Sequence, residues 1–387
     1  MPPWWLILLG IVATLGGLAW VFRRTRAAFV FVNLAAIVFG LACFEFYLDF
    51  PNFAGARPSP LHGSHAPLPA SSRLRIESSV DQFIFDDNLL GYAPKKNSRV
   101  KVREYFGNKF VYRAVYTIGA DGLRVMPPHK KTNPAGCIVF FGDSFTFGDG
   151  LNDDQTYPYL VARQLGKSYA AYNFGFSGYG PHQMLAELQA KRVQSIVDCR
   201  PTQFFFLFLS SHVARAVGIN PSHRAQPRYR LDGNGRAVRD GTMRDPLRLF
   251  ANLTIPRWTV DRFRTWQRLF GRTRALSSGD VALTIAVMRE AVNLTRKRYP
   301  GSAFDVILFD YRNDPAIMSA VERALNAIKV GTYRISHVVP DITVHPDRYL
   351  IAMDGHPNAR LDALLADYIA NAIILRKRAP TAAANVQ

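Results

Sequence analysis

The hydrophobic and polar positions fall into distinct regimes along the chain. Two early stretches carry no charge: "WWLILLGIVATLGGLAWVF" from Trp4 to Phe22 and "AAFVFVNLAAIVFGLACF" from Ala27 to Phe44. Each approaches the roughly 20 residues that a helix needs to cross the hydrocarbon core. Arg23, Arg24 and Arg26 lie between them, and no Lys or Arg precedes Trp4. The positive-inside rule then predicts a two-span hairpin over residues 1–48, its loop cytoplasmic and everything after Phe44 outside. A cleaved signal peptide and a buried hairpin are the alternatives; Trp4 and Trp5 stand where a signal would carry basic residues. Residues 49–80, punctuated by Pro51, Pro58, Pro60, Pro67 and Pro69, read as an extended spacer in which His62 and His65 are solvated.

After the spacer the period changes. Residues 81–134 alternate in the strand manner, with "FVYRAVYTIGADGLRV" broken by a turn at "GADG", and predict a small β-rich lead-in. From residue 135 to 378 short apolar runs alternate with helical patterns. "CIVFFGD", "AAYNFG", "QFFFLFLSS" and "AFDVILFDYR" read as strands; "QTYPYLVARQLG", "HQMLAELQAKRVQSIVD" and "RLDALLADYIANAIILRKR" read as helices. A further helix, "GDVALTIAVMREAVNLTRKRYPG", places Val281, Ile285, Met288, Val292 and Thr295 on one face and stops at Pro300-Gly301. Continuous apolar strands alternating with helices predict a doubly wound α/β fold, a parallel sheet covered on both faces. Ligands of such sheets sit beyond the carboxyl ends of the strands. Residues 379–387 read as a disordered tail.

Composition narrows the partners. Lys and Arg number 48 against 29 Asp and Glu, a net charge of +19, which favours anionic lipid, acidic polysaccharide or nucleic acid. The chain has no zinc-ligand spacing, phosphate loop or RNA-binding aromatic motif, so nucleic acid is set aside. An Arg-rich insertion spans residues 213–278. It holds a hairpin turning at Gly233-Asn234-Gly235 and a basic helix, "VDRFRTWQRLFGR", with Phe263, Trp266, Leu269 and Phe270. That helix reads first as a solvated face packed on the core, and otherwise as a cap on the site or a membrane-surface helix. Of the three cysteines, Cys43 lies in the second span. Cys137 and Cys199 are expected as buried thiols, with a disulfide between them as the alternative if their strands are neighbours.

The candidate chemistry lies at the strand ends. Ser144 follows the first sheet strand directly, where a helix start surrounds it with backbone N–H groups. In "MDGHPNARL", Asp354 and His356 fall on the same rim, so His356 can take the Ser144 proton while Asp354 holds the ring in the right tautomer. The competing reading makes Ser144 a helix cap and "DGH" an exposed turn, with no histidine facing the serine. Taken together, "GDSFTFG", "NFGFSGYG" and "DGHPN" resemble the SGNH, or GDSL-type, hydrolase family over roughly Gly136 to Arg378. The resemblance implies a three-layer α/β domain with Ser144 as nucleophile, His356 and Asp354 completing a triad, and backbone N–H groups of Ser144 and Gly178 forming an oxyanion hole. Ser177 falls short of a GxSxG nucleophile elbow because Tyr179 replaces the second glycine. The family's third-block asparagine is missing after "FFFLFL", where Ser210, Ser211 and His212 stand instead, so His212 is the expected substitute donor; the alternative is that His212 packs or hydrogen-bonds structurally while Ser211 or a water fills the gap. The Asp354-Gly355-His356 spacing is one residue shorter than the common family form.

These features lead to the expectation of a membrane-anchored, extracytoplasmic serine esterase or O-acyltransferase that needs no metal or organic cofactor. Membrane-tethered family members resemble polysaccharide O-acetylation enzymes, which implies a small acyl group such as acetyl on a glycan. A lipid ester or thioester hydrolase of lysophospholipase type is the alternative. A non-catalytic glycan binder, or a partner of a membrane acyltransferase, is the reading from a different class.

Overall fold

The computed structural model describes residues 4–49, 74–79, 83–130, 134–219, 225–243 and 276–375. His62 and His65, the basic helix around Trp266 and the tail 379–387 lie outside the described residues. The chain divides into two units, and the first contains the helices Trp4–Val21 and Arg26–Asp49. Trp20 is 68% and Phe29 75% exposed, so the outward surface of this helix pair is apolar. Among the described residues, Arg26–Cys43 is long and apolar enough to cross a membrane, whereas the apolar run of the first helix, Leu8–Val21, is shorter. The structure therefore supports one span of the expected two on length.

The second unit starts with the lead-in. Strand β1 (Leu74–Ser78) lies inside the stretch expected as spacer, β2 (Ile84–Asp87) and β3 (Gly91–Pro94) form a hairpin, and β4 (Ser98–Phe106) pairs antiparallel with both β1 and β5 (Lys109–Ile118). In β4 the alternation is clean: Val100 and Val102 are buried, while Arg99, Lys101 and Arg103 are exposed. One face thus packs and the other meets water. Val100, Val102, Tyr112, Tyr116 and Ile118 share a core with Tyr92, Phe147, Phe176 and Tyr179, which binds the lead-in to the loops of the main sheet.

That sheet has five parallel strands: β6 (Gly136–Phe141), β7 (Tyr169–Asn173), β8 (Gln203–Phe208) and, after an antiparallel hairpin of β9 (Pro227–Leu231) and β10 (Ala237–Thr242), β11 (Ala303–Leu308) and β12 (Gly331–Arg334). The spatial order is β12-β11-β8-β6-β7. All side chains of β6 and β8 are buried, as strands covered on both faces require. Alternation splits them between two cores. Val139, Phe141, Phe204 and Phe206 pack with Met184, Val287, Ala291 and Met318 on one side. Ile138, Phe140, Phe205 and Leu207 pack with Tyr157, Val161, Leu361 and Leu365 on the other. Helices on both faces give an α/β fold of three layers. The order reverses between β6 and β8, so the crevice beyond their carboxyl ends is the switch point where such folds place a ligand.

Several expectations need correction. The single helix expected over "HQMLAELQAKRVQSIVD" is two, Pro181–Gln189 and Arg192–Ile196, because Lys191 adopts a left-handed conformation (φ 58°) and interrupts the ladder. The helix Pro315–Asn326 and strand β12 were not anticipated; β12 is a four-residue edge strand, too short to show a period. Cys137 and Cys199 form a disulfide with Cα atoms 6.1 Å apart, rather than the pair of thiols expected first. The reason is topological: β6 and β8 are adjacent, and the two cysteines lie near their amino ends.

Candidate active site

The turn after β6 delivers Asp143 and Ser144 to the carboxyl rim. Asp143 caps the short helix Ser144–Phe147 by accepting from the Phe145 N–H at 3.1 Å. Its other oxygen accepts from Arg215 Nη1 at 2.6 Å and lies 3.2 Å from His212 Nε2. Burial would raise the Asp143 pKa, but the Arg215 charge and hydrogen bond, with the His212 ring beside the carboxylate, outweigh it and hold the carboxyl well below the usual carboxylate range. Asp143 is thus a buried anion fixed from two sides, and the backbone that carries Ser144 is fixed with it.

Ser144 is 7% exposed and faces the turn that precedes the helix Ala359–Tyr368. His356 Nε2 lies 2.8 Å from Ser144 Oγ, and His356 Nδ1 lies 2.7 Å from Asp354 Oδ2. A carboxylate only accepts, so Nδ1 carries a proton and, in the neutral ring, Nε2 accepts from the serine hydroxyl. Burial would lower the His356 pKa; the hydrogen bond to Asp354 and the charges of Asp149, Asp354 and Asp143 prevail and raise it to about 9. The Phe145 ring, 5.1 Å from the imidazole between centroids, closes one side of it. Three residues spread over more than 200 positions, 144 to 356, thereby form one hydrogen-bonded chain.

Gly178 stands in the turn after β7 with φ +78°, a conformation that glycine adopts without strain. Tyr92 donates to the Ser177 carbonyl at 2.8 Å, and its hydroxyl would crowd any side chain at position 178. Among the described residues, no acceptor is paired with the N–H of Ser144 or of Gly178. His212 is fully buried beside Asp143: its Nδ1 accepts from the Leu209 N–H at 3.2 Å, and its Nε2 lies 3.2 Å from Asp143 Oδ2 without hydrogen-bond geometry to it. Its ring packs against Phe206 and Phe208.

Sequence patterns gave no sign of two other residues. Arg124 is 2% exposed and donates to the carbonyls of Phe147 (2.6 Å), Gly148 (2.8 Å) and Leu151 (2.6 Å) and to Asp153 (2.9 Å), fixing the loop behind Ser144. Arg215, seen in the sequence only as part of an Arg-rich insertion, also donates to the Tyr179 carbonyl at 2.9 Å and so links Asp143 to the Gly178 turn. Long-range contacts of this kind leave no periodicity to read. Among the described residues, no cluster of three or more His, Cys, Asp or Glu side chains is placed to hold a metal ion.

No family model matches the chain, and no curated protein matches it. Solved structures similar to it include a lipolytic G-D-S-L protein from Veillonella parvula DSM 2008, at 14% identity over 62% of this chain and 100% of that one, with a TM-score of 0.37. A carbohydrate esterase family 2 enzyme from Corynascus thermopiles (Myceliophthora fergusii) matches at 16% identity over 70% of this chain and 71% of that one, TM-score 0.35. A salicylyl-acyltransferase from a tetracycline biosynthetic pathway matches at 15% identity over 61% of this chain and 54% of that one, TM-score 0.34. At these values the chemistry has to be argued from the site itself.

Proposed function

We propose that the protein is a serine esterase or O-acyltransferase, anchored by its N-terminal apolar helix and working outside the cytoplasm. The observation that carries the reading is the continuous relay from Ser144 Oγ through His356 to Asp354, at 2.8 and 2.7 Å. Neutral His356 takes the serine proton as Oγ attacks the ester carbonyl, and the N–H groups of Ser144 and Gly178 receive the developing oxyanion. His356 then returns that proton to the departing alkoxide, leaving an acyl-serine. A water or a sugar hydroxyl, deprotonated by the same imidazole, releases the acyl group as acid or as a new ester. The disulfide and the apolar helix Arg26–Cys43 support an extracytoplasmic site. For the substrate we favour a small acyl ester such as acetyl on a glycan, with lipid esters as the competing class.

The test uses the full chain in detergent, offered p-nitrophenyl acetate and longer-chain esters beside its Ser144→Ala variant. We expect release of the short acyl group by the wild type and its loss on substitution. Preference for long chains would move the substrate to lipid. A wild type no faster than Ser144→Ala would overturn the enzyme reading in favour of a glycan-binding or partner protein.

A further inference from the structure

Ser177 was singled out by its sequence context and has no part in the relay, yet it directly precedes Gly178, one of the two groups that would bind an oxyanion. Its Oγ donates to the carboxylate of Asp149, 2.9 Å from Oδ1 and 2.7 Å from Oδ2. Asp149 N–H in turn donates to the Ser144 carbonyl at 2.9 Å. One unbroken path therefore runs from the nucleophile's own backbone, through Asp149 and the Ser177 hydroxyl, to the residue that precedes Gly178. A second tie reaches the same turn from the lead-in, where Tyr92 holds the Ser177 carbonyl. Asp149 is itself anchored from the lead-in, because Tyr116 accepts from the Gly150 N–H at 2.9 Å.

We propose that the Asp149–Ser177 pair is a positioning element of the catalytic site: it sets the Gly178 N–H at a fixed distance from Ser144. This rests on the reading of Ser144 as nucleophile. The geometric reason is that Ser144 and Gly178 belong to loops of different strands, β6 and β7, and no direct hydrogen bond joins the two residues among those described. An oxyanion hole stabilises a transition state only when its donors are preorganised, so the distance between these loops has to be held by something. Burial raises the Asp149 pKa, and the Ser177 hydroxyl donates a hydrogen bond that opposes the rise.

The path is tested by substitution. Ser177→Ala cuts it; Asp149→Asn keeps an oxygen that can accept from Ser177. In the full chain in detergent, with p-nitrophenyl acetate, we expect Ser177→Ala to lower kcat about 10- to 100-fold with KM within about threefold. Ser177→Thr, which restores a hydroxyl, is expected to recover part of the loss. For Asp149→Asn we expect a smaller fall in kcat than for Ser177→Ala. Thermal midpoints of all three variants are measured alongside. Wild-type kcat in Ser177→Ala would overturn the proposal, and so would a Ser177→Thr variant no faster than Ser177→Ala, or losses of activity that merely follow loss of folded protein. Wild-type activity that survives in Ser144→Ala would instead overturn the nucleophile assignment, which keeps the two failures distinct.

Discussion

The two sides of the relay are built differently. On the nucleophile side, Asp143 is fully buried and clamped by Arg215 and His212, Arg124 holds three carbonyls of the following loop, and Thr146 pairs with Tyr157 at 3.0 Å. On the histidine side, Asp354-Gly355-His356 lies on a tight turn whose neighbour Met353 has φ 66° and is 47% exposed. Its main restraints are local: the Ile351 N–H donates to the His356 carbonyl at 2.8 Å, and the Gly355 N–H to the Ile351 carbonyl at 2.9 Å. The contrast fits the proposed function, in which the serine and its oxyanion donors need preorganisation, whereas the imidazole receives a proton from one atom and delivers it to another.

This contrast can be broken in several places. Ser144→Ala or His356→Ala is expected to lower kcat/KM about 10⁴-fold or more, Ser144→Ala with little change in thermal midpoint, as ester hydrolysis kinetics and calorimetry would read. Arg124→Leu strikes the clamped side, leaving Asp153 and three carbonyls without their buried donor; denaturant unfolding should show a loss of about 3–5 kcal/mol. Replacing both Cys137 and Cys199 by alanine opens a crosslink of sequence separation 62 at the far end of β6, which is expected to cost about 2–4 kcal/mol with kcat nearly unchanged.

The pH dependence reads the histidine side alone. The reactive imidazole is neutral and its pKa is raised to about 9, so kcat/KM of the free enzyme should climb roughly tenfold per pH unit from 7 and level off above that midpoint. The same shift makes His356 stabilising at pH values below its ordinary 6.5, a contribution lost as pH rises through about 9. Asp143 behaves oppositely: its contribution is present above the ordinary carboxylate range and disappears as pH falls toward its depressed pKa. Gly355→Ala should have the smallest effect, about 1 kcal/mol, because φ is +89° there but no atom lies within 4 Å of the added methyl. A loss of activity larger than this loss of stability would show that the turn tolerates strain but not displacement.

The legible part of the fold was the part with a period. "CIVFFGD" and "QFFFLFLSS" announced buried parallel strands, and those strands carry both cores. The relay residues were legible because Ser144, Asp354 and His356 stand at strand or turn ends, where their short-range context is distinctive. His212 shows the limit: as a polar residue after β8 it looked available, and its orientation beneath Asp143 depends on Leu209, Phe206 and Phe208 around it. The disulfide was in view only as the alternative to two thiols, since pairing depends on which strands become neighbours.

The sequence by itself determined the alternation of strand and helix, the apolar N-terminal helix and the three residue types of the relay, because these follow from local pattern and composition. Only the tertiary structure decided that the serine and histidine meet, that Arg124 and Arg215 lock the nucleophile's loop, and that Asp149 reaches Ser177. Those are contacts between residues tens to hundreds of positions apart, and their energies depend on burial and distance, quantities that exist only once the chain has closed on itself.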